Sequence, residues 1–213
     1  NGVGFHPFGR FPDKSLKTLA ATAALAALDD AGIGISGIDA ALCANAYSGL
    51  LNGQESIRGE TWLRGIGLGA IPVMNVENAC ASGSTAVHLA CMGIASGNYD
   101  TVLVVGAEKM FVNDTGRTLA ALANSADTEV MGNIGMQFSA VDAIRVREMM
   151  AEEDVGAEAF EWITMKNHDH AVSNPIAQYR KPISMEQVRA SRMIADPIRL
   201  LMCSAISDGA AAL

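Results

Sequence analysis

Aromatic residues are scarce in this 213-residue chain, at 5% of positions, and charged residues make up only 18%. The first shortage argues against an aromatic-rich β-sandwich. The second, with half of the residues hydrophobic, excludes a disordered chain. Basic residues are outnumbered by acidic ones, 15 to 23, and a formal net charge of −8 argues against a general binder of nucleic acid or other polyanions. A local basic pocket for a phosphorylated ligand remains compatible with that balance. No apolar run is long enough to span a membrane, the longest being the alanine-rich, amphipathic Leu19–Leu28. No basic leader followed by an apolar stretch and a cleavage site is visible, so nothing indicates secretion. Cys43, Cys80, Cys91 and Cys203 lack metal-ligand spacing. They read as reduced thiols, with no metal site expected and the cytoplasm as the expected compartment.

The apolar half of the chain is mostly Ala, Val, Ile, Leu and Met, accompanied by 21 Gly. Such small, unbranched and β-branched side chains suit helices laid closely on a sheet. Ser15 is placed to cap a helix whose apolar face runs Leu16, Leu19, Ala20, Ala23, Ala27 and Leu28, with Gly32 at its stop. "IDAALCANA" (38–46) reads as a buried strand, a short helix is expected around Thr61–Gly65, and Pro72 opens the strand "PVMNVE". A sharp turn at Asn78–Ala79 then leads into a helix from about Cys80 to Ser96, stopped by Gly97. "TVLVVGA" (101–107) is the near-continuous β-branched run of a strand buried on both faces. Strand, helix, strand, helix, strand in this order predicts an α/β fold, a mostly parallel sheet with helices on both faces.

From about Phe111 polar residues rise and capped helical segments follow one another without strands between them. Ser139 with Asp142, and Ser184 with Gln187, have capping-box spacing. Residues 112–199 are therefore expected to form a largely helical insertion, with 200–213 returning to the sheet. The opening at Asn1, in what reads as the end of a strand, and the close on "SDGAAAL" predict a segment of a longer protein.

Cys80 falls where a strand stops and a helix begins. Unpaired N–H groups of a first helical turn carry partial positive charge, which favours a thiolate, the form that attacks acyl carbons. Ala79, Ala81, Ser82 and Gly83 are small, so a substrate could approach the sulfur closely. A cysteine in such a place is otherwise packing material. That second reading is the one given to Cys43, Cys91 and Cys203. The methionines at 131, 136, 149 and 150 could line an acyl pocket, although Met more often fills core gaps.

The segments "NACASGSTA" and "VLVVGAEKM" resemble the nucleophile region of thiolases, where a Cys is followed by small residues and the next strand ends in a Gly-x-Glu turn. "SAISDGAAAL" looks like the Asp-Gly-Ala-Ala strand of that family. "MKNHDHAVSNPIAQYR" and "GVGFHPFGRFPDKSL" resemble its sterol-carrier-protein-2 branch, which includes acetyl-CoA acetyltransferase-like enzymes. The resemblance implies a thiolase N-terminal half (1–111 and 200–213) carrying a helical loop domain (112–199), with a second half beyond Leu213. It implies a cycle in which Cys80 takes an acyl group from acyl-CoA or 3-ketoacyl-CoA and passes it to a second CoA thiol or an acyl-CoA carbanion. The Cys80 backbone N–H would help to form an oxyanion hole. Ser204 matches the serine ahead of the Asp-Gly motif that lines the CoA pocket. Coenzyme A enters as substrate, with no permanently bound cofactor expected.

By the same resemblance the activating His and the second Cys come from the other half, so residues 1–213 alone are expected to be inactive. A homodimer or homotetramer is implied, acting on fatty or sterol-derived acyl chains in lipid degradation, with no nucleic-acid or membrane partner. His168 and His170 are assigned to the loop domain, structural or lining the CoA entrance. Arg180 and Lys181 read as a solvated pair or as contacts to CoA phosphates. Glu108 is expected to be tied into backbone hydrogen bonds at the Gly-x-Glu turn. Two other functions stay open. One is a thiolase-like aldolase for steroid side-chain CoA esters with a small OB-fold partner, a branch that typically lacks the nucleophilic Cys. The other is a non-catalytic subunit that binds CoA esters.

Overall fold

The computed structural model describes residues 1–213, which divide into two compact units, Asn1–Ala121 with Ser207–Leu213, and Leu122–Ile206. The first unit is built on a five-stranded sheet formed by β1 (Gly4–Gly9), β2 (Ala40–Ala44), β3 (Val73–Val76), β4 (Val102–Lys109) and β7 (Asp208–Ala212). Their spatial order is β1-β7-β4-β2-β3. β2 pairs in parallel with both β3 and β4, while β7 lies antiparallel between β1 and β4. Four of the five strands thus share one direction, as the alternation of strand and helix predicts.

Side-chain alternation along β2 and β4 separates two cores. Ala41, Cys43, Leu103, Val105 and Ala107 face the helices α1 (Leu16–Ala31) and α3 (Arg58–Leu63). Leu42, Ala44 and Val104 pack on the other side against Ala86 and Ala90 of α4 (Ser82–Ala95). A short helix, α2 (Ser48–Asn52), follows β2.

The caps of α1 are those expected. The Ser15 hydroxyl accepts from Thr18 N–H at 3.1 Å, and Gly32 closes the helix in the left-handed conformation at φ 67°. Its packing surface is Ala20, Ala23, Ala24 and Ala27, all buried. Side chains this small let the helix backbone settle onto the glycines of β1. A Cβ at Gly4 would stand 2.1 Å from the Ala23 carbonyl oxygen and 2.3 Å from the Ala27 nitrogen.

At the start of β7 Asp208, fully buried, joins three segments. Its carboxylate accepts from Phe11 N–H (3.0 Å) and Phe111 N–H (2.8 Å) and pairs with Lys109 Nζ at 3.1 Å. Three donors, one of them a charged ammonium, thus answer this buried carboxylate locally.

The helix α5 (Thr115–Ala123) opens the stretch expected as an insertion, but most of it belongs to the first unit. The second unit holds α6 (Phe138–Glu152), α7 (Ala157–Val172), α8 (Met185–Ala190) and a small hairpin of β5 (Met193–Ala195) and β6 (Ile198–Arg199) that helical periodicity does not announce. Ser184 and Gln187 form the expected reciprocal capping box. Ser139 does not cap. It lies inside α6, whose N-cap is Gln137, because the helix starts one residue before the serine. Buried Val188 anchors α8, Arg189 pairs with Glu161 of α7 at 2.8 Å, and Arg147 of α6 pairs with Asp196 at the hairpin.

Gly4→Ala is expected to lower stability by about 1–3 kcal/mol or more, since the clash is with backbone that cannot rotate away. Chemical denaturation of the variant beside wild type measures this directly. A change below about 0.5 kcal/mol would contradict such close packing of α1 on β1.

Candidate functional site

The three parallel strands β2, β3 and β4 end at one edge of the sheet, and the chain leaves each of them into a polar segment. This edge is where open α/β sheets present their reactive groups. After β3 the chain runs Glu77–Asn78 into a tight 3-10 turn, Ala79–Ala81, and then directly into α4. Cys80 lies at the centre of that turn with its side chain exposed. The helix proper begins two residues later than the sequence suggests, at Ser82.

The turn is held in an uncommon conformation. Ala79 has φ 46°, a left-handed value that non-glycine residues adopt rarely and at some cost. Several hydrogen bonds fix it. The Glu77 carboxylate accepts from Ala79 N–H at 2.6 Å, and Asn78 carbonyl accepts from Ala81 N–H at 2.9 Å. The buried Ser82 hydroxyl accepts from Asn78 N–H at 2.8 Å and donates to the Ala79 carbonyl at 2.7 Å. One side chain thereby clasps both sides of the turn that carries Cys80. The N–H groups of residues 78, 79 and 81 are committed to this scaffold, and that of Cys80 takes no part in it.

At the ends of β2 and β4, Glu108 is tied in as the Gly-x-Glu turn implies. It accepts from Ala46 N–H (2.9 Å), Tyr47 N–H (3.3 Å) and the Asn45 side-chain amide (2.7 Å). Burial pushes its carboxyl above the ordinary value, opposed by these hydrogen bonds and by the nearby Arg58 charge.

The other cysteines divide. Cys43 is buried beneath Gly59, and burial, with a smaller push from Glu60, raises its thiol to about 12. It is packing material. Cys203 is half-buried and also raised, by burial first and by Asp142 second. Cys91 is exposed on α4, so the expectation of a buried, packed Cys91 is not met. Residue 91 stands next to the Ala90 that faces the sheet, one step of helix rotation away.

In the second unit Ser204 is exposed and borders an open groove of about 330 Å³, together with Cys203, Asn167, His168 and Tyr179. The His168 ring lies near-parallel to that of Tyr179, 12° between planes and 6.3 Å between centroids. His170, on the same helix, is exposed and absent from the groove lining. Arg180 and Lys181 are exposed, form no ion pair, and border a neighbouring groove with Tyr179. His88 is exposed on α4, beyond the turn. Met149 is exposed, while Met131, Met136 and Met150 are half-buried.

Sequence reasoning placed Cys80 at the strand-to-helix turn but missed the clasp made by Ser82. A hydroxyl two residues after the cysteine, amid Ala and Gly, was its only trace. Asn45 was missed as well, since nothing in its local sequence marks a buried amide.

Comparison with known proteins gives the family. The family model for the thiolase N-terminal domain matches residues 4–213. Acetyl-CoA acetyltransferase of Methanothermobacter thermautotrophicus is 38% identical over 99% of the chain and 54% of its own length. Sterol carrier protein 2 of Bos taurus is 36% identical over 99% of the chain and 40% of its own length. Among solved structures, the Ltp2-ChsH2(DUF35) aldolase superposes with a TM-score of 0.81 at 28% identity, covering 99% of this chain and 53% of the other. Human mitochondrial 3-ketoacyl-CoA thiolase in complex with CoA gives 0.76 at 15% identity over 99% of this chain and 62% of the other, a likeness of fold alone. The chain belongs to the thiolase family. It spans about half the length of the acetyl-CoA acetyltransferases it matches.

Two predictions follow from the clasp and from Glu108. Ser82→Ala leaves the Asn78 N–H without its buried acceptor. It is expected to cost about 1–3 kcal/mol in denaturant unfolding, with Cys80 alkylated more slowly than in wild type. The raised Glu108 carboxyl means that the folded chain holds this proton more tightly than the unfolded one. Its contribution is therefore full below the ordinary value of 4.5 and is lost as pH rises through the elevated folded value. The stability gap between wild type and Glu108→Gln should narrow with rising pH across that window. A gap that widens there would contradict the assigned direction.

Proposed function

We propose that the protein is an acyl-CoA C-acyltransferase that forms a thioester on Cys80. The observation that carries this reading is an exposed cysteine at the tip of a strained, multiply hydrogen-bonded turn between a parallel strand and a helix. Packing alone explains Cys43. It does not explain a thiol presented to solvent on a scaffold of this rigidity.

In the thiolytic direction the Cys80 sulfur attacks the 3-keto carbon of a 3-ketoacyl-CoA. The bond between C2 and C3 breaks, the acyl group stays on sulfur, and the departing acetyl-CoA enolate takes up a proton. A CoA thiol then attacks the thioester, frees Cys80 and leaves as acyl-CoA. The reverse sequence condenses two acyl-CoA units. The Cys80 N–H, outside the hydrogen bonds that hold the turn, is suited to receive the oxyanion in either direction. Ser204 and the groove it borders are assigned to the CoA side of the substrate. The activating His and a second Cys are expected in the remainder of the protein. Long, branched or steroid-derived acyl chains in lipid breakdown, and assembly as a homodimer or homotetramer, complete the proposal. No helix is long and apolar enough to cross a membrane.

A second reading has one observation in its favour, the 0.81 TM-score to the Ltp2-ChsH2(DUF35) aldolase at 28% identity. It would make the protein a carbon–carbon lyase acting on CoA esters beside a small OB-fold subunit. Such a lyase needs no acyl-accepting thiol, so the exposed Cys80 on its clasped turn favours the acyltransferase.

The two separate on mass spectrometry of the full-length protein after brief incubation with acetoacetyl-CoA and with a longer 3-ketoacyl-CoA. An acyl adduct is expected on the peptide bearing Cys80, discharged by added CoA and absent in Cys80→Ala. A folded, CoA-binding protein that never carries the adduct would overturn the proposal in favour of the aldolase or of a non-catalytic CoA-ester-binding subunit.

A further inference from the structure

The nucleophile turn springs from β3, a strand of four residues at the edge of the sheet. An edge strand has one neighbour, so the position of its end depends on how firmly that neighbour is held. Here the neighbour is β2, and beyond the backbone ladder its end is held by a set of side chains. The Asn45 N–H donates to the carbonyl of Val76, the last residue of β3, at 3.2 Å. The Asn45 amide in turn donates to the Ala107 carbonyl at 2.8 Å and to Glu108 Oε1 at 2.7 Å, while its oxygen accepts from Ser48 N–H at 2.9 Å. Arg58 grips the Asn45 carbonyl with Nη1 at 2.9 Å. The next residue of that helix, Gly59, donates its N–H to the Asn75 side chain of β3 at 2.7 Å.

These bonds form a continuous path from β4 across β2 to β3. Asn45 is 2% exposed, so its partners are not replaced by water. Glu108 supplies the path's only carboxylate that collects three donors from the residues following β2.

We propose that Glu108 is a positioning residue for Cys80, acting through Asn45 and the end of β3 to set where the nucleophile turn stands. The inference rests on the acyl-transfer reading for its catalytic meaning, but its geometry does not. Removing the carboxylate's acceptors frees the Asn45 amide and the segment after β2, and the end of the edge strand loses its reference. Even a small displacement of the nucleophile, caused far from the chemistry, slows reaction there without weakening the binding of substrate.

The test uses the full-length protein and reads the rate of Cys80 alkylation by iodoacetamide, resolved by peptide mass spectrometry. Acyl-transfer kcat, KM and thermal midpoint are measured alongside. Glu108→Gln is expected to slow Cys80 labelling and to lower kcat by about tenfold or more, with KM within about twofold of wild type. Asp39→Ala serves as the control. Asp39 accepts from Asp100 and Thr101 N–H at the opposite end of the same two strands, so its loss loosens β2 and β4 without reaching the turn. It is expected to lower the thermal midpoint while leaving Cys80 labelling at the wild-type rate.

If Glu108→Gln does not accumulate folded, Arg58→Lys is read in its place. It keeps the charge, loses the guanidinium bond to Asn45, and is expected to slow labelling in the same direction. Wild-type labelling rates in the Glu108 or Arg58 variant, or equal slowing by Asp39→Ala, would overturn the proposal. Alkylation requires no acyl-CoA. Glu108-dependent labelling in a protein without acyl transfer would therefore sink the proposed function and leave the positioning role standing.

Discussion

A chain that leaves the parallel edge strand β3 and enters a 3-10 turn and then a helix within a few residues must turn sharply. In this protein the turn after β3 meets that demand by placing Ala79 at φ 46°. A left-handed alanine persists only where its surroundings over-determine it. Glu77, Asn78 and Ser82 supply that surplus, and Asn45, Arg58 and Glu108 hold the strand from which the turn departs. The sheet, its two cores and the helix α4 can all be understood as the frame that keeps one exposed thiol in one place.

Small residues make the frame possible. Alanines along α1 and glycines on β1 bring helix and sheet backbones into contact, and Gly59 sits so closely over Cys43 that any Cβ there would overlap its sulfur. Interiors packed this tightly transmit displacement rather than absorb it. Four cysteines in the same chain meet four different fates under these conditions. Burial silences Cys43, partial burial raises Cys203, Cys91 is exposed on a plain helix face, and only Cys80 combines exposure with a fixed, strained support.

Much of the frame was legible in the sequence because it is written in local chemistry. The β-branched run at 101–107 could be little else than a buried strand, and Ser15 and Gly32 mark the ends of α1 by side-chain and backbone requirements that few other residues meet. The place of β7 was not legible. Its insertion antiparallel between β1 and β4 brings together residues some 200 positions apart, and no local periodicity encodes such a pairing. The hairpin of β5 and β6 is too short to leave a pattern, and Ser139 shows that capping-box spacing alone does not fix a helix start. At the site, the placement of Cys80 at the turn was legible from its setting of small residues. The left-handed Ala79 and the Ser82 clasp were not, since alanine carries no sign of the conformation it is forced into.

The central claim is that the turn, and not exposure, makes Cys80 reactive. Site-resolved alkylation of the four cysteines in the full-length protein, with and without acyl-CoA, tests it most directly, with Cys91, exposed on α4 within residues 1–213, as an internal comparison. The account predicts that Cys80 reacts fastest and that acyl-CoA protects it alone. Equal rates at Cys80 and Cys91, with no selective protection, would contradict it.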